Sequence, residues 1–161
     1  MTGIEFLATL VATGSLHGLT IGSPVSEVDR AIHGDHIDVP SETGLSLRRD
    51  YGFVEFGFDS DPDVDWVMKG CGIQLHRLPY SPDLAEEWSR AMGVDFPPYT
   101  AWTDLREEMV RHGVADLETK DQKTFLAYRA PHSKVSVIVN NVEEERDNYV
   151  GFGDVWAVHL G

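Results

Sequence analysis

The sequence contains a single cysteine among its 161 residues, so the chain cannot form an internal disulfide. Secreted domains usually carry paired cysteines, whereas a lone cysteine fits a reducing compartment. Cys71 lies at the start of an apolar run, where we expect a small buried side chain rather than a nucleophile. Cysteine usage therefore indicates a protein of the cell interior.

The sequence also lacks a long apolar segment near its start. Residues 4–12 are mostly apolar, but Glu5 interrupts them and the first basic residue is Arg30. A signal peptide needs a basic segment before its apolar core, and a membrane-spanning helix needs about 20 apolar residues. We interpret the stretch as an amphipathic helix and expect a soluble, cytoplasmic chain.

Basic residues are scarce. The chain has 13 Lys and Arg against 27 Asp and Glu, which gives a formal net charge of −14. Such a field repels phosphate backbones and anionic lipid surfaces, so we expect neither nucleic acid nor membrane as a partner. It favours a basic protein partner, and solubility alone would explain it equally well.

Helix signals occur in four places along a chain whose length suits one domain, residues 1–161. Residues 4–12 form the first helix. Serine followed by proline marks the start of two more, at Ser23-Pro24 and Ser81-Pro82. A fourth is predicted from about Trp102, and Gly93 and Gly113 are expected to end the last two.

Strand signals occur in two groups of three. The six runs are Leu45–Arg49, Phe53–Phe58 and Ile73–Leu78, then Phe125–Arg129, Val135–Val139 and Val155–Leu160. In the second run, alternation places Phe56 and Phe58 on one face and Phe53 and Glu55 on the other. The sequence thus predicts an α+β domain in which antiparallel β-meanders carry helices on one face.

The order of elements repeats along the chain. His112-Gly113 follows His33-Gly34 by 79 positions, and residues 156–159 follow residues 73–76 by 83. These nearly constant offsets predict a tandem duplication of an αβββ unit, roughly residues 20–80 and 100–161. Chance similarity between a few residues is the alternative.

Two acidic segments lie at matching positions, between the second and third strands of each half. We predict that they form part of a protein-binding surface, with Trp66 and Phe53 as aromatic anchors; solvated loops are the alternative. Their acidic residues are Asp59, Asp61, Asp63 and Asp65 in one half, and Glu143, Glu144, Glu145 and Asp147 in the other.

Histidines offer a second candidate surface. His76 and His159 occupy matching positions opposite the apolar face of their predicted strands, where they could form a contact face with Gln74 and Glu55. Ordinary surface polarity explains the same pattern, since no partner for acid or base chemistry is apparent.

Catalytic and metal-binding motifs fail on inspection. Asp59, Asp61 and Asp63 resemble the start of a calcium-binding loop, but Val64 and Gly70 stand where glycine and glutamate are required. No nucleotide-binding, metalloprotease or hydrolase motif is present. We therefore expect no metal or cofactor and no enzymatic activity.

One polar cluster keeps an alternative open. The segment His33–Asp38 contains four side chains of types that can bind zinc, at a spacing typical of no zinc motif. A small-molecule-binding protein or an enzyme with an unrecognised site would use this segment. Its polar side chains are His33, Asp35, His36 and Asp38.

The overall pattern resembles bacterial immunity proteins of polymorphic toxin systems. The resemblance rests on the acidic charge, the small α+β layout, and the segments Arg49–Phe56 and Gly153–Val158. It implies a cytoplasmic inhibitor that binds a cognate toxin, often a basic nuclease. The layout is also similar to β-lactamase inhibitory proteins and their lipoprotein relatives, but lacks their disulfides and lipid-attachment cysteine. The resemblance assigns no role to any particular residue of this chain, and no sequence pattern indicates an oligomeric state.

Overall fold

The helices begin and end largely where local sequence signals place them, in a computed structural model that describes residues 1–161. The side chain of Thr2 accepts from the Glu5 amide while Glu5 accepts from the Thr2 amide, a reciprocal cap. Gly14 and Gly93 end their helices in the left-handed conformation. The helices are α1 (Gly3–Thr13), α2 (Val25–Ala31), α3 (Asp83–Met92) and α4 (Trp102–Arg111). None is long and apolar enough to cross a membrane.

Eight strands form one sheet in which every neighbouring pair is antiparallel. Their order across the sheet is β1-β2-β3-β4-β8-β7-β6-β5. The strands of the first half are β1 (Ile37–Pro40), β2 (Ser46–Asp50), β3 (Val54–Asp61) and β4 (Asp65–Ile73). Those of the second are β5 (Glu118–Asp121), β6 (Phe125–Ala130), β7 (Val135–Asn140) and β8 (Val155–Leu160).

Each half of the chain contains two helices followed by a four-stranded meander. The meanders join through β4 and β8 over only three residue pairs, of which Gly72 and His159 form the middle one. The predicted α+β class with meander strands is confirmed. The predicted repeat unit of one helix and three strands missed β1 and β5, because both are exposed edge strands of only four residues, β1 in a polar, turn-rich segment and β5 without any apolar residue.

The predicted strand Ile73–Leu78 is wrong. β4 ends at Ile73, and the following residues form a 3-10 turn from Leu75 to Arg77. Leu75 and Leu78 are both buried because residues three apart lie on the same side of a 3-10 turn. In so short a segment, the apolar residues of such a turn resemble those of a strand. β4 was not predicted, because it begins with an acidic residue and contains two glycines.

The hydrophobic core lies between the helices and one face of the sheet. Its 32 residues come from all four helices and from inward positions of the strands, including Phe56, Phe58 and Val137. Phe53, predicted to lie on the outer face, is only 1% exposed. It precedes β3 and turns inward, with its ring 4.9 Å from that of Phe96 and 5.8 Å from that of Trp88. Phe53 therefore cannot anchor a partner.

Candidate functional site

The outward face of the sheet carries no helix, because all four helices contribute to the core on the other face. Cross-strand pairs share a face, so the strand register gives one continuous row across the sheet. From edge to edge this row is Ile37, Asp50, Glu55, Gly72, His159, Ser136, Arg129 and Glu118. We call the surface built around this row the open face.

An aromatic patch of four residues lies at one end of the open face. The rings of His76 and Trp156 stack almost in parallel, with centroids 4.3 Å apart and an interplanar angle of 6°. Phe125 and Tyr149 approach Trp156 edge-on at 5.1 and 5.7 Å. Burial in this stack lowers the pKa of His76, so its ring is neutral at pH 7 and packs as an aromatic.

The spacing of apolar residues in their elements predicts that Trp88, Trp102 and Trp156 all lie in the hydrophobic core, and of these Trp156 departs most from the prediction. It instead lies half-buried on the open face and outside the core cluster. The register shift between Ile138 and Val139 makes an irregularity opposite this part of β8, which disturbs simple alternation there. Trp88 is buried as expected, and Trp102 is half-buried against Tyr128.

Two shallow depressions meet at His159. One, of about 300 Å³, lies over β3 and β4 and is lined by Gly57, Gly70 and Gly72. The other, of about 520 Å³, lies over β5 to β8, where Arg129 donates to the Ser136 hydroxyl at 3.2 Å. Desolvation by the surrounding strands lowers the pKa of His159, although part of its ring faces solvent.

The charge of the open face differs from that of the whole chain. Five basic and six acidic side chains lie on it or at its margin, against a net charge of −14 overall. Glu55 is held by Arg77 at 2.8 Å and lies 4.0 Å from Arg48, with Gln74 donating to it at 3.5 Å. The basic residues are Arg48, Lys69, Arg77, Lys120 and Arg129, and the acidic ones are Asp50, Glu55, Asp59, Asp61, Asp65 and Glu118.

The contact face suggested by the histidines is thus present in part. His159, Glu55 and Gln74 line the same depression. His76 belongs to the 3-10 turn and joins the aromatic patch instead. Sequence reasoning missed Arg129 and Tyr149. Arg129 is the one charged residue of the apolar strand β6, which was the available signal, and no local pattern marks Tyr149.

The two acidic segments lie at opposite ends of the strands. β4 starts at the tip of the Asp59–Asp65 hairpin and runs to Ile73, which pairs with Val158 near the start of β8. The Glu143–Asp147 segment precedes β8 and so lies beyond that far end. With ~3.3 Å per residue along nine-residue β4, about 30 Å separate the segments, which do not form one rim.

The side chains of the hairpin are mostly exposed. Asp59 pairs with Lys69 at 3.3 Å, and Asp63 and Asp65 are fully in solvent contact at the tip. Asp61 is half-buried and accepts from the Asp63 amide at 2.8 Å. Trp66 is half-buried against the core, so only part of its surface is available to a partner.

The second acidic segment lies in a long loop held by one buried ion pair. Arg146 donates to both carboxylate oxygens of Asp154, at 2.6 and 2.8 Å, and its guanidinium lies 4.8 Å from the Tyr99 ring centre. Asp154 is 2% exposed and also accepts from the Gly151 amide. Hydrogen bonding to Asp154 raises the pKa of Arg146. The loop's four acids, Glu143, Glu144, Glu145 and Asp147, are exposed.

The four polar residues of the alternative site do not all converge: His33 and Asp35 line a small cavity of about 50 Å³ beside Trp88, whereas His36 and Asp38 lie outside it. Asp38 instead accepts from the buried Arg49 at 2.9 and 3.1 Å, and Asp29 of α2 completes the ion triad at 2.6 Å. Burial opposes the charge of Arg49, but hydrogen bonds to these two carboxylates raise its pKa. His36 lies 3.8 Å from Asp38, and nowhere in the structure do three His, Cys, Asp or Glu side chains converge as a metal site.

The lone cysteine takes no part in either depression's chemistry. The Cys71 side chain points into the core, and burial raises the pKa of its thiol to about 12. A thiol with this pKa is not nucleophilic near neutral pH.

Comparisons of the chain with protein-family models, curated proteins and solved structures find no match.

Proposed function

We propose that this chain is a protein-binding module of the immunity type, a cytoplasmic inhibitor that docks a cognate toxin on its open face. The observation that carries the proposal is the uncovered face of an eight-stranded sheet, with an aromatic patch at one end and paired charges across it. The resemblance of the sequence to immunity proteins supports the same reading.

The size of the open face suits a stable complex. Eight strands spaced ~4.8 Å apart extend ~38 Å across, and about five residues of each span ~17 Å along the strands. The resulting ~650 Å² is close to the ~800 Å² that each partner buries in a standard interface.

The side chains of the open face match those that anchor protein interfaces. Trp, Tyr and Arg dominate interface energetics because they bury large areas while retaining a polar group. The open face carries Trp156, Tyr149 and Arg129, and the small residues Gly72 and Ala127 line the depressions on it. Charges of both signs provide specificity, since a wrong partner would bury some of them unpaired.

The partner's chemistry follows from the charge outside the open face. With a chain charge of −14 and a nearly neutral open face, most of the negative charge surrounds the docking surface. Long-range attraction therefore favours a basic toxin domain, as the acidic loops suggested, while the contacts themselves are mixed in charge.

The test is site-specific photo-crosslinking in the source cell. A photoreactive residue at Ser136 should crosslink one basic protein, whereas the same residue at the exposed Val110 of α4 should not. The purified chain should then abolish the toxicity of that protein in a growth assay. Equal crosslinking from both positions, or unchanged toxicity, would overturn the proposal.

A further inference from the structure

A pocket lies between α4, the segment that follows it, and strands β5 and β6. Its volume is about 470 Å³, within the ~300–1,000 Å³ of small-molecule sites. Tyr128 of β6, which lines it, pairs with the core residue Val137, so the pocket is on the helix-covered side of the sheet. Apart from the edge-strand residues Glu118 and Thr119, it shares no residue with the depressions of the open face.

Two stacked rings form the apolar wall of this pocket. The rings of Trp102 and Tyr128 have centroids 4.2 Å apart and an interplanar angle of 16°. Both side chains are half-buried, since each packs against the core and also lines the pocket. Leu117 extends the apolar surface. Because aromatic rings pack favourably against one another, offset or edge to face, the wall suits an aromatic group.

Arg106 of α4 lines the pocket without an acidic partner. It is half-buried, and its hydrogen bonds are two long ones, both at 3.4 Å, to the backbone oxygens of Val114 and Ala115. A guanidinium has five N–H donors, so three of them have no acceptor in the protein. Arg49 and Arg77, which are also withdrawn from solvent, each contact two carboxylates instead.

Two acidic residues line the same pocket and do not pair with Arg106. Asp116 directly follows Ala115, whose oxygen accepts from Arg106, and Glu118 begins β5. Neither carboxylate lies within 4 Å of a basic side chain, and neither accepts a hydrogen bond. Charges of both signs thus line one pocket without neutralising each other. A ligand that carries both charges would supply each of them with its missing partner.

We propose that this pocket binds a free α-amino acid with an aromatic side chain. Arg106 donates charge-assisted hydrogen bonds to the carboxylate of the ligand, and Asp116 and Glu118 accept from its ammonium group. The aromatic ring of the ligand packs against Trp102 and Tyr128. This inference does not depend on the proposed function, because the toxin is assigned to the open face.

The first experiment titrates L-phenylalanine into the purified chain and follows binding by saturation-transfer NMR. 2-Phenylethylamine lacks the carboxylate, 3-phenylpropionate lacks the ammonium group, and each should bind at least ~10-fold more weakly, because a charge-assisted hydrogen bond is lost. An analogue that binds as tightly as L-phenylalanine would overturn the inference. So would the absence of saturation transfer to L-phenylalanine, L-tyrosine and L-tryptophan at millimolar concentration.

The second experiment assigns the two charged ends of the ligand with variants. Arg106→Gln should weaken binding of L-phenylalanine at least ~10-fold and leave that of 2-phenylethylamine unchanged, because only the contact to the carboxylate is lost. The Asp116→Asn, Glu118→Gln double variant should weaken binding of L-phenylalanine and leave that of 3-phenylpropionate unchanged. Arg30→Gln, at an exposed position of α2, is the matched charge control and should bind as wild type does.

Thermal unfolding of each variant checks that the fold is retained. Asp116 and Glu118 are exposed, so the double variant tests the site even where Arg106→Gln lowers stability. Unchanged affinity of the double variant for L-phenylalanine, or of a folded Arg106→Gln chain, would overturn the inference.

Discussion

Trp88 and Trp156 both fall on the apolar face that the period of their element predicts, but they lie on opposite sides of the fold. Trp88 is 5% exposed and its ring lies 5.8 Å from that of Phe53 and 6.3 Å from that of Phe6. Trp156 stacks on His76 at the open face. One tryptophan therefore stabilises the fold, and the other is available to a partner.

Alanine substitution should separate these roles. Trp88→Ala removes a ring from a close-packed core and should lower the free energy of unfolding by ~3–5 kcal/mol. Trp156→Ala removes a half-buried ring from an uncovered face and should cost under about 2 kcal/mol. Urea denaturation followed by circular dichroism measures both, and equal losses would contradict the assignment of Trp156 to the open face.

A conservative variant tests the core further. The indole nitrogen of Trp88 is the buried side-chain polar atom without a hydrogen-bond partner. Trp88→Phe keeps a ring and removes that unpaired group, so it should recover most of the stability that Trp88→Ala loses.

At the scale of elements, helices were easier to predict than edge strands. Ser-Pro located the starts of α2 and α3, and glycine the ends of α3 and α4, within a few residues, because proline and glycine act on the local backbone. β1 and β5 were missed because four exposed residues give too short a pattern: β5 is entirely polar, and the alternation of Ile37, Asp38 and Val39 in β1 covers only three residues. Only their pairing with β2 and β6 makes them strands.

The β7–β8 loop should depend on its single ion pair. Arg146→Gln leaves the buried carboxylate of Asp154 with only the Gly151 amide as donor, and should cost ~1–3 kcal/mol, moderated because Arg146 is itself half-exposed. Hydrogen exchange should quicken across residues 141–154. Glu145→Gln removes an exposed neighbouring charge and should leave exchange unchanged.

The acidic hairpin should act on association rather than dissociation. Changing Asp61, Asp63 and Asp65 to Asn should slow binding to the proposed basic partner and flatten its salt dependence, because exposed charges attract over a Debye length of ~8 Å but hold few contacts. Surface plasmon resonance at two salt concentrations measures both rates. A large rise in the dissociation rate would instead place the hairpin within the interface.

At the scale of the whole molecule, His76 couples folding stability to pH. Its pKa is lowered in the folded state from an ordinary value of 6.5, mainly by burial. Below about pH 6.5 the unfolded chain therefore binds a proton that the folded chain does not. The free energy of unfolding should fall as pH drops through this window to the folded pKa.

His76→Phe isolates this contribution, since it keeps the ring stacked on Trp156 and removes the titration. Its stability should fall less than that of wild type between pH 7 and 5, measured by urea denaturation. If the free energy of unfolding changed equally with pH in the two proteins, the pKa of His76 would be the same in the folded and unfolded chains.

The sequence by itself determined the α+β class, most of the helix ends and five of the eight strands, because breaker residues and alternation act over a few residues. It did not determine which sheet face the helices cover, since alternation defines two faces without choosing between them. In the tertiary structure Phe53 lies in the core and Trp156 lies on the open face. Because β4 and β8 pair antiparallel, the two acidic segments lie at opposite ends of the strands. Only strand register brought Glu55, His159 and Arg129 into one row, because that contact joins residues far apart in the chain.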